Sequence, residues 1–145
     1  MVAKIVFFPH SNDEFKDQEE LRRWLRYDLK GFRNGFYTMK DPTGLGELEK
    51  GSIVFFNKDN YCVGFAIVEE DLRIIKEEEK DKFGKEYKKC VKFIPESICV
   101  FNESQLIKLK YIEKIIGKGF GRGYTTMEPK DLLNIFKLVS NIKII

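Results

Sequence analysis

The segment from Gly51 to Val68, GSIVFFNKDNYCVGFAIV, constrains the fold more than any other part of the chain. Two runs rich in β-branched and aromatic residues, Ile53–Phe56 and Tyr61–Val68, flank the polar stretch Asn57-Lys58-Asp59-Asn60. That order predicts a β-hairpin. The strands are nearly continuously apolar, so their side chains require burial on a sheet rather than one wet face.

Further strand-like runs lie at Val2–Phe8 and Cys90–Phe93, with a short aromatic piece at Arg33–Met39. Together with the hairpin they predict a mixed, mainly antiparallel β-barrel of the α+β class. Pro9-His10-Ser11-Asn12 ends the first strand, and Ser11 and Glu14 have the spacing of a capping box for a first helix. Leu21, Trp24, Leu25, Leu29 and Phe32 continue at helical spacing up to a stop at Gly31. The stretch from Asp41 to Gly46 holds one Pro and two Gly and reads as a surface loop. Glu69 to Lys89 is dominated by Glu and Lys and reads as an excursion from the sheet. Pro95 demands an edge, bulge or break in the strand pattern of Tyr87–Phe101. A short helix is expected from about Ser104, and a last one from Pro129 with Leu132, Leu133, Phe136 and Val139 inward.

A length of 145 residues fits one domain spanning 1–145. Its 13 Phe and 6 Tyr exceed what a core of this size needs, so some rings should line a pocket. The net charge of +3 hides an asymmetry: residues 1–81 carry −4 and residues 82–145 carry +7. A basic half fits a polyanionic partner, because neutralising phosphates supplies most sequence-independent nucleic-acid affinity. Cys62, Cys90 and Cys99 share no metal or disulfide spacing and are expected as buried free thiols, without zinc or another cofactor. No apolar run approaches a signal peptide or a membrane span, which predicts a cytoplasmic protein without a membrane partner.

Aromatic and basic residues just outside the regular elements, Arg33, Phe36, Tyr37, Phe120, Arg122 and Tyr124, with Trp24 as the sole indole, form the candidate site. Bases stack on such rings, and Lys or Arg beside them holds phosphates. Gly117-Lys118-Gly119-Phe120-Gly121-Arg122-Gly123 also has the composition of a phosphate cradle, but lacks the P-loop ending. His10, Ser11 and Asp13 are triad residue types, yet their adjacency reads as a helix cap, and no paired carboxylates or nucleophile motif accompany them. The expectation is a binding module rather than an enzyme. A protein-interaction surface built from the surplus aromatics is the competing class.

The order of these signals resembles the PUA-like superfamily, and EVE domains in particular. Gly51, Phe56, Val63, Gly64, Ala66 and Val68 stand where EVE domains have their hairpin motif, with Ser52 departing from the usual Asp. The resemblance implies a small curved β-barrel with flanking helices and a pocket for one nucleobase, often a modified one, as in the related YTH readers of methylated adenine. By position it adds Ser11, Asn12 and Phe56 to the pocket candidates, beside Phe36, Tyr37 and the Phe120–Tyr124 segment with Lys118. Trp24 stands alone where a methyl-base cage has several tryptophans. Related modules also serve as the DNA-choosing domains of archaeal Mcr-type restriction GTPases, which implies a motor or nuclease partner and leaves DNA and RNA both open.

Overall fold

The computed structural model describes residues 3–40, 42–121 and 123–139. Its strands are β1 (Ile5–Pro9), β2 (Phe36–Met39), β3 (Ile53–Lys58), β4 (Tyr61–Ile74), β5 (Lys89–Phe93), β6 (Cys99–Val100), β7 (Ile107–Lys108) and β8 (Thr125–Met127). They form one sheet in the order β2-β5-β4-β3-β1-β8, with β6 and β7 also paired to β4. Only β1 and β3 run parallel among these pairings. The helices are α1 (Gln18–Arg23), α2 (Lys80–Phe83), α3 (Leu109–Ile116) and α4 (Leu132–Lys137). The α+β, mainly antiparallel expectation therefore describes the chain, although β1 begins at Ile5 and Val2 lies outside the described residues.

The hairpin is β3–β4, with Ile53 opposite Ile67 and Phe55 opposite Phe65. Its turn is tighter than the sequence implies. Asn57 and Lys58 belong to β3, and only Asp59 and Asn60 turn, both with positive φ (54° and 67°). That is the two-residue turn whose twist matches a hairpin.

Alternation on β1 and β3 explains their continuous apolar character. Val6, Phe8, Val54 and Phe56 face one hydrophobic cluster, closed by Leu21, Leu25 and Leu29. Ile5, Phe7 and Phe55 face a second cluster, closed by Ile112 and Ile135. Both faces are covered by helices, so neither strand can afford a polar side.

The closed barrel does not form: among the described residues no ladder joins β2 to β8. The sheet nevertheless curls strongly. Tyr37 on β2 and Phe8 on β1 have ring centroids 5.6 Å apart, although three strands separate them in the sheet order. In a flat sheet, spacings of ~4.8 Å per strand would hold them ~19 Å apart. The bend is made by β4, which pairs with β3 along its first half and β5 along its second, with register shifts at Phe56/Asn57 and on either side of Glu70. Bulges of this kind bend and twist the strand that carries them.

Other expectations shift for local reasons. β4 continues to Ile74, because backbone pairing with β5 carries it through charged residues. The first helix starts at Asp17, whose side chain accepts from the Glu20 amide at 2.9 Å, whereas Ser11 and Glu14 bond within a turn. The loop after β2 is partly core, since Leu45 and Leu48 are buried. The short helix expected from about Ser104 is a single 3-10 turn, Glu103–Gln105, and α3 follows at Leu109. On and just after α4, Leu132, Phe136 and Val139 pack inward as expected, whereas Leu133 is exposed and Ile135 is fully buried. Cys62 and Cys90 are buried free thiols, and burial pushes the Cys62 thiol up to about 12. Cys99 is exposed, which corrects its assignment to the core.

Candidate functional site

α1 runs directly into a π-helix, Trp24–Phe32, interrupted near its end by Gly31, whose ψ of −106° is non-helical. The i→i+5 hydrogen bonding of a π-helix widens each turn, and such segments recur at functional sites. Leu21, Leu25 and Leu29, four residues apart, all stay fully buried against the sheet. Arg23 at the end of α1 and Trp24, Tyr27 and Asp28 of the π-helix lie on the rim of a cleft of about 960 Å³. The cleft's other walls are the loop after β1, β2 with the residues beside it, and Tyr124 just before β8.

Six rings line it: Phe15, Trp24, Tyr27, Tyr37, Tyr87 and Tyr124. Trp24 meets Tyr37 edge to face, with centroids 5.8 Å apart. The Arg33 guanidinium carbon lies 5.5 Å from the Trp24 ring centroid. Arg33 also donates from Nε to the Phe36 carbonyl (3.1 Å) and from Nη2 to Thr38 Oγ1 (3.0 Å). It therefore braces β2 against the π-helix while one face of the indole is covered. Tyr124 packs edge-on to Phe8 at 5.1 Å, and its hydroxyl approaches Met39 Sδ at 4.0 Å. Tyr27 is 67% exposed and extends furthest into solvent.

Charge around the cleft is mixed. Arg23, Arg33 and Lys40 are offset by Asp13, Glu14, Glu20 and Asp28, so among the described residues the rim is mixed in charge rather than basic.

Behind Tyr37, buried and outside the cleft lining, lies the chain's one histidine, His10. Burial lowers the His10 pKa, the Glu14 carboxylate opposing, so the ring is neutral. The Asn57 carbonyl can only accept, so His10 Nδ1 donates to it (3.2 Å), and Nε2 accepts from the Tyr37 hydroxyl (2.7 Å). Burial likewise raises the Tyr37 pKa, keeping that hydroxyl a donor. Neither Ser11 nor Asp13 is a hydrogen-bond partner of the ring, and the buried pair works as a structural lock.

A histidine whose folded pKa lies below its unfolded value of about 6.5 takes up protons preferentially on unfolding. Its contribution to stability is complete above pH ~6.5 and is lost as pH falls toward the folded pKa. Urea midpoints should therefore drop between about pH 7.5 and about pH 5.5, a range in which ordinary carboxylates hardly titrate. The drop should vanish in His10→Asn; an unchanged pH dependence in that variant would show that another group is responsible.

Of the sequence candidates, the structure brings Ser11, Trp24, Arg33, Tyr37 and Tyr124 to this cleft. Phe56 is fully buried and belongs to the core, where it cannot stack on a ligand. Phe36 projects to the opposite side of β2 from Tyr37, against Phe83 and beneath Lys82 and Lys92. Asn12 is held by Lys58, outside the cleft lining. Phe120 packs edge-on against Phe7 and lines a second, separate cleft, while exposed Lys118 lines neither. Arg122 lies outside the described residues. Sequence reasoning missed Tyr27, Asp28 and Tyr87; the available signal was Tyr27, an aromatic at a solvent position of the first helix beside Arg23 and Arg26.

No family model matches the chain, and no curated protein matches it. Among solved structures it is similar to ASCH from Zymomonas mobilis, with a TM-score of 0.58 and 10% identity over 94% of this chain and 96% of that one. A tyrosine-to-phenylalanine mutant of that protein gives a TM-score of 0.58 and 11% identity over 94% and 99% of the two chains. A serine-to-alanine mutant gives 0.55 and 10% over 94% and 97%. At such identity the likeness is one of fold: the chain shares the fold of these ASCH structures.

Proposed function

We propose that this protein is a cytoplasmic nucleic-acid-binding module that takes one unstacked base of a single strand into the cleft between the π-helix and β2. The observation that carries the reading is the convergence of Trp24, Tyr27, Tyr87 and Tyr124 on one open cleft. Partly exposed rings around a cavity of about 960 Å³ suit a flat heterocycle, since every base has a π-face to stack on. The carboxylates among them supply acceptors for the amino and ring N–H groups of a base edge. The PUA-like fold agrees with this reading in general terms.

The reading is of binding without turnover, so a bound oligonucleotide is expected to be recovered intact. Tyr27→Ala and Tyr124→Ala should each weaken binding of a short single strand by roughly 1–3 kcal/mol, the usual worth of a base on a ring. Tyr27→Ala should leave the urea midpoint in place, because that ring is 67% exposed. Fluorescence anisotropy with single- and double-stranded DNA and RNA, each with and without base methylation, tests the proposal. Equal affinity of wild type and both variants for every probe would remove it. The narrower role, choosing DNA for an Mcr-type restriction assembly with a motor or nuclease partner, requires in addition that DNA carrying a modified base be preferred.

A further inference from the structure

The cleft just described can hold a base, but among its described lining residues carboxylates outnumber cations and Arg33 is committed to β2. It cannot by itself gather a phosphate backbone. Among the described residues, none of the basic side chains of the +7 segment 82–145 lines that site.

A second cleft, of about 530 Å³, opens beside the β3–β4 turn and the start of α3. Its carboxylates are occupied. Asp59 pairs with Lys58 at 2.7 Å, and Glu113 accepts from the Phe120 amide at 2.8 Å. Its lysines, Lys108 and Lys110, are exposed. Around the same helix, Lys110 and Lys114 place their ammonium groups 5.3 and 5.9 Å from the ring centroid of Tyr111, which is 42% exposed. The side chains therefore form a cationic surface with an aromatic centre, the combination that tracks a single-stranded backbone.

A side-chain bridge lies between the two separate clefts. Ser11 lines the first and Asp59 the second, and Lys58 Nζ donates to both Asn12 Oδ1 and Asp59 Oδ1 between them. We propose that a single-stranded nucleic acid whose base enters the aromatic cleft runs past the Asn12–Lys58–Asp59 bridge, and that Lys108, Lys110 and Lys114 hold its phosphates. This rests on the reading of the first cleft and adds a second, electrostatic site to it.

The test compares wild type with the triple variant Lys108→Gln, Lys110→Gln, Lys114→Gln, all three being exposed side chains whose exchange spares the core. Each protein is titrated with a labelled single strand of about 12 nucleotides, long enough to span both sites, and with a dinucleotide. For the longer strand the variant should lose about tenfold in affinity at about 50 mM salt, and the slope of log affinity against log salt should fall by about two, at ~0.7 per phosphate contact. Dinucleotide affinity should be unchanged. Retention of the full slope and affinity by the variant overturns the lysine track and leaves the aromatic cleft standing. Equal weakening of both probes also overturns it, because the lysines would then act on the cleft itself. If wild type binds neither probe, the cleft reading falls and the track with it. Displacement of the longer strand by polyglutamate as readily as by unlabelled oligonucleotide would mark the face as a surface for acidic protein and overturn the assignment.

Discussion

Replacing Tyr37 by alanine should destabilise the fold by about 3–5 kcal/mol, the usual cost of deleting a large buried aromatic side chain. The ring is 7% exposed and stands where β2 folds over the sheet. It meets Phe8 of β1, Phe56 of β3 and Phe93 of β5 at centroid distances of 5.6, 6.2 and 6.0 Å. Trp24 and His10 close the remaining sides. No neighbour can collapse into the space without breaking another aromatic contact, so the cavity term adds to the transfer term. Tyr37→Phe separates packing from hydrogen bonding: it keeps the ring, strands the buried His10 Nε2, and should cost about 1–3 kcal/mol. Urea unfolding measures both. A Tyr37→Ala protein as stable as wild type, defective only in binding, would show that the ring is cleft wall rather than core. The sequence-based reading of Tyr37 as a stacking platform is thus subordinate: the ring lines the cleft, but from beneath.

The contrast between Tyr37 and Phe36 shows what could be read in advance and what could not. That β1 and the β3–β4 hairpin are buried strands follows from their apolar runs, and the packing of Val6 and Phe7 on opposite faces is the reason no polar alternation is seen. Which of two adjacent aromatics faces the cleft depends on the register of β2 against β5, where Tyr37 pairs with Val91. A shift of one residue would exchange their faces, and nothing local to Phe36-Tyr37 sets it. The β4 extension was hidden for a related reason. Glu69 to Ile74 look like a solvated face, yet the β5 backbone holds them as strand. Open closure of the sheet, too, depends on long-range pairing of β2 and β8 that no segment encodes alone.

The π-helix is the least legible element and the one that matters most for the cleft. Its composition, WLRYDLKGF, is that of an ordinary amphipathic helix. Leu25 and Leu29 lie on the buried face and Tyr27 and Asp28 on the other, so a helical reading takes the latter two for solvated surface, and only the tertiary arrangement turns that face into a cleft rim. Charge had a similar limit. The sign asymmetry along the chain was readable, but its placement was not: the cleft is electrostatically mixed, and exposed lysines gather on α3.

Gly35→Ala should cost about 2–5 kcal/mol, combining a backbone penalty of about 1–2 with an overpacking penalty of about 1–3. Gly35 has φ +87°, a conformation that disfavours any Cβ, and a Cβ built there would lie 2.2 Å from the Phe93 carbonyl oxygen. The obstacle is backbone and is itself bonded in place, since the Phe93 amide donates to the Gly35 carbonyl at 2.8 Å. On its other side the Gly35 amide donates to the Leu29 carbonyl at 2.7 Å. Relief of the clash must therefore move the π-helix away from β5 and open the junction that sets the cleft. Two further variants divide the effect. Gly44→Ala meets the backbone penalty alone, with φ +85° and nothing within 4 Å of its Cβ, and should cost about 1–2 kcal/mol. Gly64→Ala meets only the steric one, its Cβ falling 2.3 Å from the Cys99 carbonyl oxygen at the β4–β6 pairing, and should cost about 1–3 kcal/mol. Denaturant midpoints should thus rank Gly35→Ala as the least stable of the three. A Gly35 variant no worse than the Gly44 one would mean that β5 does not pass so close beneath the end of the π-helix.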